Sequence, residues 1–329
     1  MTVADSVLGL IGNTPIVRLQ SLTRGSNAAS VFLKLEHLNP SGSYKDRMAL
    51  RMIEDAEKAG HLKAGSTIIE SSSGNTAIAL SFVGGVKGYK VKIFIAETSL
   101  TDEKKKILTR YGAQFEMTPS PVPLGRRNEA RKSGIPGERV EEPGRAMCKA
   151  AEEKDRSLWW ARQFSNPSNF LAHADMGREI LKQLDGKVDV FVSSIGTGGN
   201  FMGVARVLKE SNPRIRCVAV EPTGWAGEEA ILSGWKNGTK HEIVGVTGGI
   251  VKQIADQDIA NEIVQVGNEE ARQTAYRLSK EEGIFCGMST GANVYVAMNE
   301  AKKLPPGKNV ITIAVDRGDR YFSDERYTT

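Results

Sequence analysis

Asn39-Pro40-Ser41-Gly42-Ser43-Tyr44-Lys45-Asp46-Arg47 runs from a Pro/Gly/Ser turn directly into a helix. Beyond it, Met48, Met52, Ile53 and Ala56 recur at three- and four-residue spacing, which predicts a helix over 45–59. Lys45 therefore stands at a loop-to-helix junction, near the positive end of a helix dipole, where a cation is disfavoured. Burial and a positive field both lower an amine's pKa, and the neutral amine is the form that attacks a carbonyl to make a Schiff base. Taken alone, Lys45 reads first as an ordinary solvated lysine after a turn. The rest of the chain has to overturn that reading.

Outward from this stretch, short apolar β-rich runs alternate with helical patterns. Strands are expected at Val31–Glu36, Thr67–Glu70, Val91–Ala96, Gln114–Met117, Val188–Ser193, Arg216–Glu221 and Val310–Val315. Helices are expected at about 45–59, 75–87, 102–111, 168–184, 199–210, 268–282 and 291–302. Strand–helix alternation with nearly continuous apolar strands predicts an α/β protein with largely parallel sheets. One stretch breaks the rhythm: residues 119–145 hold five prolines and four glycines among six basic and four acidic residues, and a long loop is expected there. Helix resumes near Ala146–Asp155.

Composition narrows the class. The 329 residues suit one large domain or two moderate ones, and 40% apolar with 25% charged residues is ordinary for a globular protein. The net charge of +5 is spread along the chain, and Lys104-Lys105-Lys106 follows Asp102-Glu103 as a solvated helix face, so no nucleic-acid partner is expected. No apolar run approaches the roughly 18 residues of a membrane helix, and no leader pattern opens the chain. A cytoplasmic location without a membrane partner is the expectation. Cys148, Cys217 and Cys286 make an odd count without a CxxC spacing, which favours buried free thiols. His37, His61, His173 and His241 lack metal-ligand spacing, and no metal is expected.

Three further loops carry chemistry. Glu70-Ser71-Ser72-Ser73-Gly74-Asn75-Thr76-Ala77 follows a strand and opens a helix, presenting free N–H groups and hydroxyls to a carboxylate or phosphate, or else a simple N-cap. Ser194-Ile195-Gly196-Thr197-Gly198-Gly199-Asn200 again joins a strand to a helix, and its glycines let the backbone wrap a phosphate. A dinucleotide site is the competing reading, since Glu221 ends the next strand; Phe201 stands where that fingerprint wants glycine, and a single phosphate fits better. Phe285-Cys286-Gly287-Met288-Ser289-Thr290-Gly291-Ala292 opens a late helix with either a cap or a hydroxyl aimed at a ligand.

A Schiff-base lysine, an anion-binding Ser/Asn loop, a single-phosphate cradle and a late serine match the needs of pyridoxal 5'-phosphate. In this order the chain resembles the cysteine synthase and cystathionine β-synthase family of fold-type-II pyridoxal-phosphate enzymes. The likeness begins at Leu10-Ile11-Gly12-Asn13-Thr14-Pro15-Ile16-Val17-Arg18-Leu19 and continues through Asn39–Arg47, Ser73–Thr76, Gln163–Pro167 and Gly196–Gly199. It reaches Glu282-Gly283-Ile284, Ser289–Ala292 and Gly318-Asp319-Arg320-Tyr321, nearly the whole chain.

The resemblance implies a tryptophan synthase β-like fold of two three-layer α/β/α domains. The expected division is a larger domain of residues 1–35 and 155–329 and a smaller mobile one of 36–154 that includes the 119–145 loop. It also implies a homodimer. By the same likeness Lys45 forms the Schiff base and moves the α-proton. Asn75 bonds the ring's phenolic oxygen, Gly196, Thr197, Gly198, Gly199 and Asn200 grip the phosphate, and Ser289 faces the pyridine nitrogen. A neutral hydroxyl there leaves the ring a weaker electron sink, which favours loss of a β-leaving group over racemisation or transamination. Ser72, Ser73, Thr76 and Gln163 match positions that bind the substrate α-carboxylate.

The implied reaction is β-replacement on O-acetylserine or O-phosphoserine with sulfide, giving L-cysteine. Alternatives are another nucleophile or donor, as in cystathionine or diamino-acid synthases, serine dehydratase-type elimination, and, from other classes, a nicotinamide oxidoreductase or a catalytically idle partner-binding protein. Ser72, Ala77 and Asn200 depart from the family's usual threonine, glycine and threonine, and none removes a required group. The 119–145 segment exceeds the family's connection by roughly twenty residues. It carries Arg126, Arg127, Arg131, Arg139 and Arg145, which as a lid would meet an anionic leaving group and otherwise form a solvated surface.

Overall fold

The computed structural model describes residues 3–96, 99–119, 137–223, 259–324 and 327. Two sheets organise it. The first holds β1 (Ile16–Arg18), β2 (Ser30–Lys34), β7 (Val190–Ser194), β8 (Arg216–Pro222), β9 (Glu262–Val266) and β10 (Asn309–Ile313), in the order β1-β2-β10-β7-β8-β9. Only β1 runs antiparallel to its neighbour. The second holds β3 (Thr67–Ser71), β4 (Lys90–Ala96), β5 (Gln114–Thr118) and β6 (Leu158–Trp160), all parallel, in the order β5-β4-β3-β6.

Period-two alternation sends successive side chains to opposite faces, and each sheet is apolar on both. In the six-stranded sheet Val190, Val192, Val218 and Val220 pack with α7 (Asn268–Glu282) and α8 (Met288–Lys302). Their neighbours Phe191, Cys217 and Ala219 pack with α5 (Ser168–Gln183) and α6 (Gly199–Ser211). In the four-stranded sheet Ile68, Ile93 and Ile95 meet α1 (Lys45–Lys58) and α2 (Asn75–Val86). On its other face Ile69 and Phe94 meet Cys148 of α4 (Gly137–Lys154), and α3 (Asp102–Arg110) completes the helices. Each sheet is thus the middle of three layers, the α/β/α arrangement expected of fold type II.

Three strands lie outside the expected set. β1 and β6 are three residues long, too short for a period to register, and β9 alternates along a half-exposed edge. β6 pairs with β3, so the four-stranded sheet continues past residue 154. The expected loop over 119–145 is corrected at its end, because α4 already begins at Gly137. Pro143 lies inside that helix, and it costs one internal hydrogen bond without ending it, since Met147, Cys148 and Ala151 bury an apolar stripe against Ile69 and Phe94. Residues 120–136, with Arg126, Arg127 and Arg131, and His241 lie outside the described residues.

Candidate active site

The candidate site is assembled around the start of α1. Its first residue is Lys45, 7% exposed, with its Nζ 4.9 Å from the centre of the Tyr44 ring. Burial pushes the Lys45 amine down to about 8, against the opposing pull of Glu141 and Glu70. At pH 7 roughly a tenth of the amine is then neutral, the form a Schiff base requires, against about one part in a few thousand for an ordinary lysine. Tyr44 also packs on His173 of α5, ring centres 5.2 Å apart. Burial first, then the charges of Lys45 and Arg47, hold His173 well below its ordinary range, so its imidazole is neutral; neither of its ring nitrogens has a hydrogen-bond partner.

Although α1 packs on the four-stranded sheet, its leading turn is fastened to the other one. Ser43 forms a bridge with Asp316, Tyr44 N–H donates to Val315 O at 3.2 Å, and Arg317 N–H donates to Gly42 O at 3.1 Å. Lys45 therefore stands where the two sheets meet.

Asp316 joins three of the four motifs. Its carbonyl accepts from Gly287 N–H at 3.2 Å, and its Oδ2 accepts from Asn75 Nδ2 and from Tyr321 Oη, each at 2.6 Å. Arg320, 2% exposed, donates to Asn75 Oδ1 and to Ser41 O. Asn75 is thereby oriented at the first residue of α2, and only one of its two amide hydrogens is spent on Asp316. The other remains for an acceptor in the cleft. Thr290 Oγ1 accepts from Val315 N–H at 2.9 Å, which seats the first turn of α8 and with it Ser289, 4% exposed.

The third motif docks through two asparagines. Gly198 adopts the left-handed conformation (φ 79°) and caps α6, whose first turn offers the N–H groups of Gly199, Asn200 and Phe201 without helix partners. Asn169 Nδ2 donates to Thr197 Oγ1 at 2.9 Å and to Gln163 O at 2.8 Å. Asn293 Oδ1 accepts from Ser194 N–H at 2.7 Å, while its Nδ2 donates to Ile313 O at 3.1 Å. Thr197 and Asn200 are both 6% exposed, and Asn200 Oδ1 has no partner. Phe201 is fully buried and stacked on Phe191, filling the space where a dinucleotide fingerprint keeps its third glycine.

Gln163 closes the fourth side. Thr76 Oγ1 donates to its Oε1 at 2.6 Å, its Nε2 donates to Ser71 O at 3.0 Å, and its N–H donates to Glu70 Oε2 at 2.9 Å. Ser72 is buried, and its Oγ accepts from Gly74 N–H at 3.3 Å. Sequence reading missed Asn169, Asn293 and Asp316, polar residues buried at helix starts or strand ends, whose only signal was an Asn or Asp where an apolar residue would pack. Arg145 alone of the five arginines singled out has a described side chain, with its guanidinium 5.0 Å from the centre of the Phe164 ring.

A buried amine of lowered pKa, a helix N-terminus with the unpaired N–H groups of its first turn, and a loop rich in hydroxyls fit a phosphate-bearing aldehyde. The comparisons agree: the model of the pyridoxal-phosphate dependent enzyme family matches residues 7–316, and the chain belongs to that family. It is 39% identical over 327 residues to a cysteine synthase of Staphylococcus aureus (strain Mu50), covering 98% of this chain and 97% of that one. The structure is similar to that of a cysteine synthase from Entamoeba histolytica, with TM-score 0.84, 33% identity, and 100% and 92% of the two chains covered. It is also similar to an O-acetylserine dependent cystathionine beta-synthase from Helicobacter pylori, with TM-score 0.85, 32% identity, and 99% and 100% covered. A nicotinamide enzyme is set aside.

Proposed function

We propose that the chain makes L-cysteine by β-replacement on an activated L-serine, O-acetylserine or O-phosphoserine, with sulfide. The observation that carries the reading is Lys45, buried, with its amine lowered to about 8 and its turn bonded to the segment that holds Asn75 and Gly287. The bound cofactor supplies an electron sink that labilises the α-proton and the β-substituent.

The chain's own groups do the rest. Lys45 Nζ would hold the cofactor's aldehyde carbon and, once displaced by the substrate amine, would take the α-proton and return it at the end. The first turn of α6, with Gly196, Thr197, Gly198, Gly199 and Asn200, would hold the phosphate, Asn75 would offer its second amide hydrogen to the phenolic oxygen, and Ser289 would place a hydroxyl at the ring nitrogen. Ser72, Ser73, Thr76 and Gln163 hold the α-carboxylate and fix the Cα–H bond. The leaving group departs from Cβ as acetate or phosphate, and the sulfide sulfur takes its place.

Two units closing on each other complete the proposal, the expected residues 1–35 with 155–329 and 36–154 with their second boundary moved past β6. Its support is the two sheets with separate cores, β6 carrying the smaller unit to Trp160. Closure excludes water from the reacting carbon. A cytoplasmic homodimer belongs to the same reading, and among the described residues no helix is long and apolar enough to cross a membrane. The test is a spectral titration of purified protein with serine, O-acetylserine and O-phosphoserine. A donor-dependent change in the cofactor band followed by sulfide-dependent cysteine release is expected, and a protein without that band in its Lys45 form overturns the proposal.

A further inference from the structure

The loop assigned above to the substrate α-carboxylate already faces a carboxylate, and the protein itself supplies it. Glu141 lies on α4, and its carbonyl accepts from Ser71 Oγ at 3.0 Å. One turn on, Gly144 lies so close to the end of β3 that a Cβ there would overlap Ser71 Oγ. These contacts press α4 onto the strand that leads into Ser72–Thr76. The Glu141 side chain, only partly open to solvent, then reaches into the loop. Gln163 Nε2 lies 3.4 Å from its Oε2, and the backbone N–H of Ser73 pulls its pKa down against burial. Thr76 is linked to the same group through its 2.6 Å bond to Gln163. A carboxyl group accepts through its oxygens whether or not it is ionised, so N–H donors at a strand end that opens a helix serve Glu141 and are what a substrate carboxylate also needs.

We propose that Glu141 is a resident competitor for the α-carboxylate site, displaced when an amino acid binds, and so a determinant of substrate affinity. The inference rests on the assignment of Ser73, Thr76 and Gln163 to the substrate carboxylate.

Its surroundings make Glu141 a poor resident. Glu70 lies beneath the same loop, held by Trp160 Nε1 at 3.0 Å and by the N–H groups of Ser71 and Gln163. Burial, and then repulsion from Glu70, push the Glu141 carboxyl up to about 8, against the attraction of Lys45 and Arg145. A substrate carboxylate brings its own ammonium group into this field, and Glu141 has none to bring. The rest of α4 stays fixed by Met147, Cys148 and Ala151, so exchange needs only the Glu141 side chain and its local turn to move.

The experiment measures binding of L-alanine, an amino acid without a β-leaving group, to the holoenzyme by the shift of the cofactor band and by calorimetry. Glu141→Ala is expected to lower the Kd at least fivefold. Glu141→Gln, which keeps the volume and resembles the protonated acid, is expected to lower it less. Glu142→Gln, which removes an exposed neighbouring charge, leaves it unchanged. An unchanged or raised Kd in Glu141→Ala with an intact cofactor band overturns the proposal, and so does an equal gain in Glu142→Gln, which would make the effect one of net charge. If wild-type protein carries no cofactor band, the functional reading itself fails, a result distinct from either.

Discussion

Arg47, two residues past Lys45, grips Glu36 with both arms of its guanidinium, Nε to Oε2 at 2.7 Å and Nη2 to Oε1 at 2.8 Å. The same guanidinium reaches Glu179 of α5 at 2.7 Å, and Lys34 Nζ adds a 2.6 Å contact to that carboxylate. Thr14 Oγ1 and Asn39 Nδ2 fill the remaining acceptor positions of Glu36, while Gly12 N–H and Asn13 N–H bond Asn39 Oδ1 and Glu179 Oε1. The Gly12–Thr14 and Asn39–Arg47 motifs are therefore one buried network. Removing one partner leaves an uncompensated charge, so Glu36→Ala is expected to cost about 3–5 kcal/mol. Thermal unfolding checks it, with a fall in Tm of roughly 5 °C or more expected.

That network also sets an acid limit. Arg47 and Lys34, helped by Asn13 N–H, outweigh the burial of Glu179 and hold its carboxyl down to about 2, below its ordinary 4.5. A depressed carboxylate contributes stability that is fully present above the unfolded value and lost as pH falls through the folded one. Stability is thus expected to decline between about pH 4.5 and pH 2. Glu179→Gln should flatten this branch in urea unfolding curves recorded across that range, and an unaltered slope would refute the assignment.

Lys45 has the opposite sign. Its folded value of about 8 lies below its ordinary 10.5, so between these limits the unfolded chain binds more protons and stability rises with pH. Below pH 8 the full cost of a buried ammonium is present, up to about 3 kcal/mol. Lys45→Met removes it. The variant, stripped of cofactor, is expected to be more stable than the equally stripped wild type at pH 7, with the gap closing above pH 10.5. A gap independent of pH would mean that packing, not charge, is what the substitution changed.

How much of this was legible follows from the range of each signal. The helical period of α1 and the apolar runs of β4, β7 and β8 are local patterns, and their observed bounds fall within a residue or two of expectation. The glycine and serine loops were legible as strand ends that open helices, because that too is a local property. The start of α4 was not, since Gly137, Pro143 and Gly144 are poor helix formers and burial against Ile69 and Phe94 is what holds the helix. Nor was Asp316: its partners Ser43, Asn75 and Gly287 come from distant parts of the chain, and nothing in Val315-Asp316-Arg317 announces them. Residues that hold the loops were hidden, whereas residues on the loops were visible.

Asn169 tests that distinction between holding and touching. Its Nδ2 bonds Thr197 Oγ1 and Gln163 O, coupling the Ser194–Asn200 loop to Gln163 through one buried amide. Asn169→Ala removes both bonds and leaves Thr197 free to turn, and a lost buried hydrogen bond is worth about 1–3 kcal/mol. Cofactor affinity is therefore expected to fall about tenfold or more, while the position and pH dependence of the cofactor band, set at Lys45, stay as in wild type. Asn169→Asp should not rescue it, because an ionised carboxylate cannot donate to Thr197 or to the Gln163 carbonyl and brings a negative charge toward the phosphate. Titration of the stripped protein with pyridoxal phosphate reads both quantities at once. A shifted band with undiminished affinity would place Asn169 at the ring rather than behind the loop.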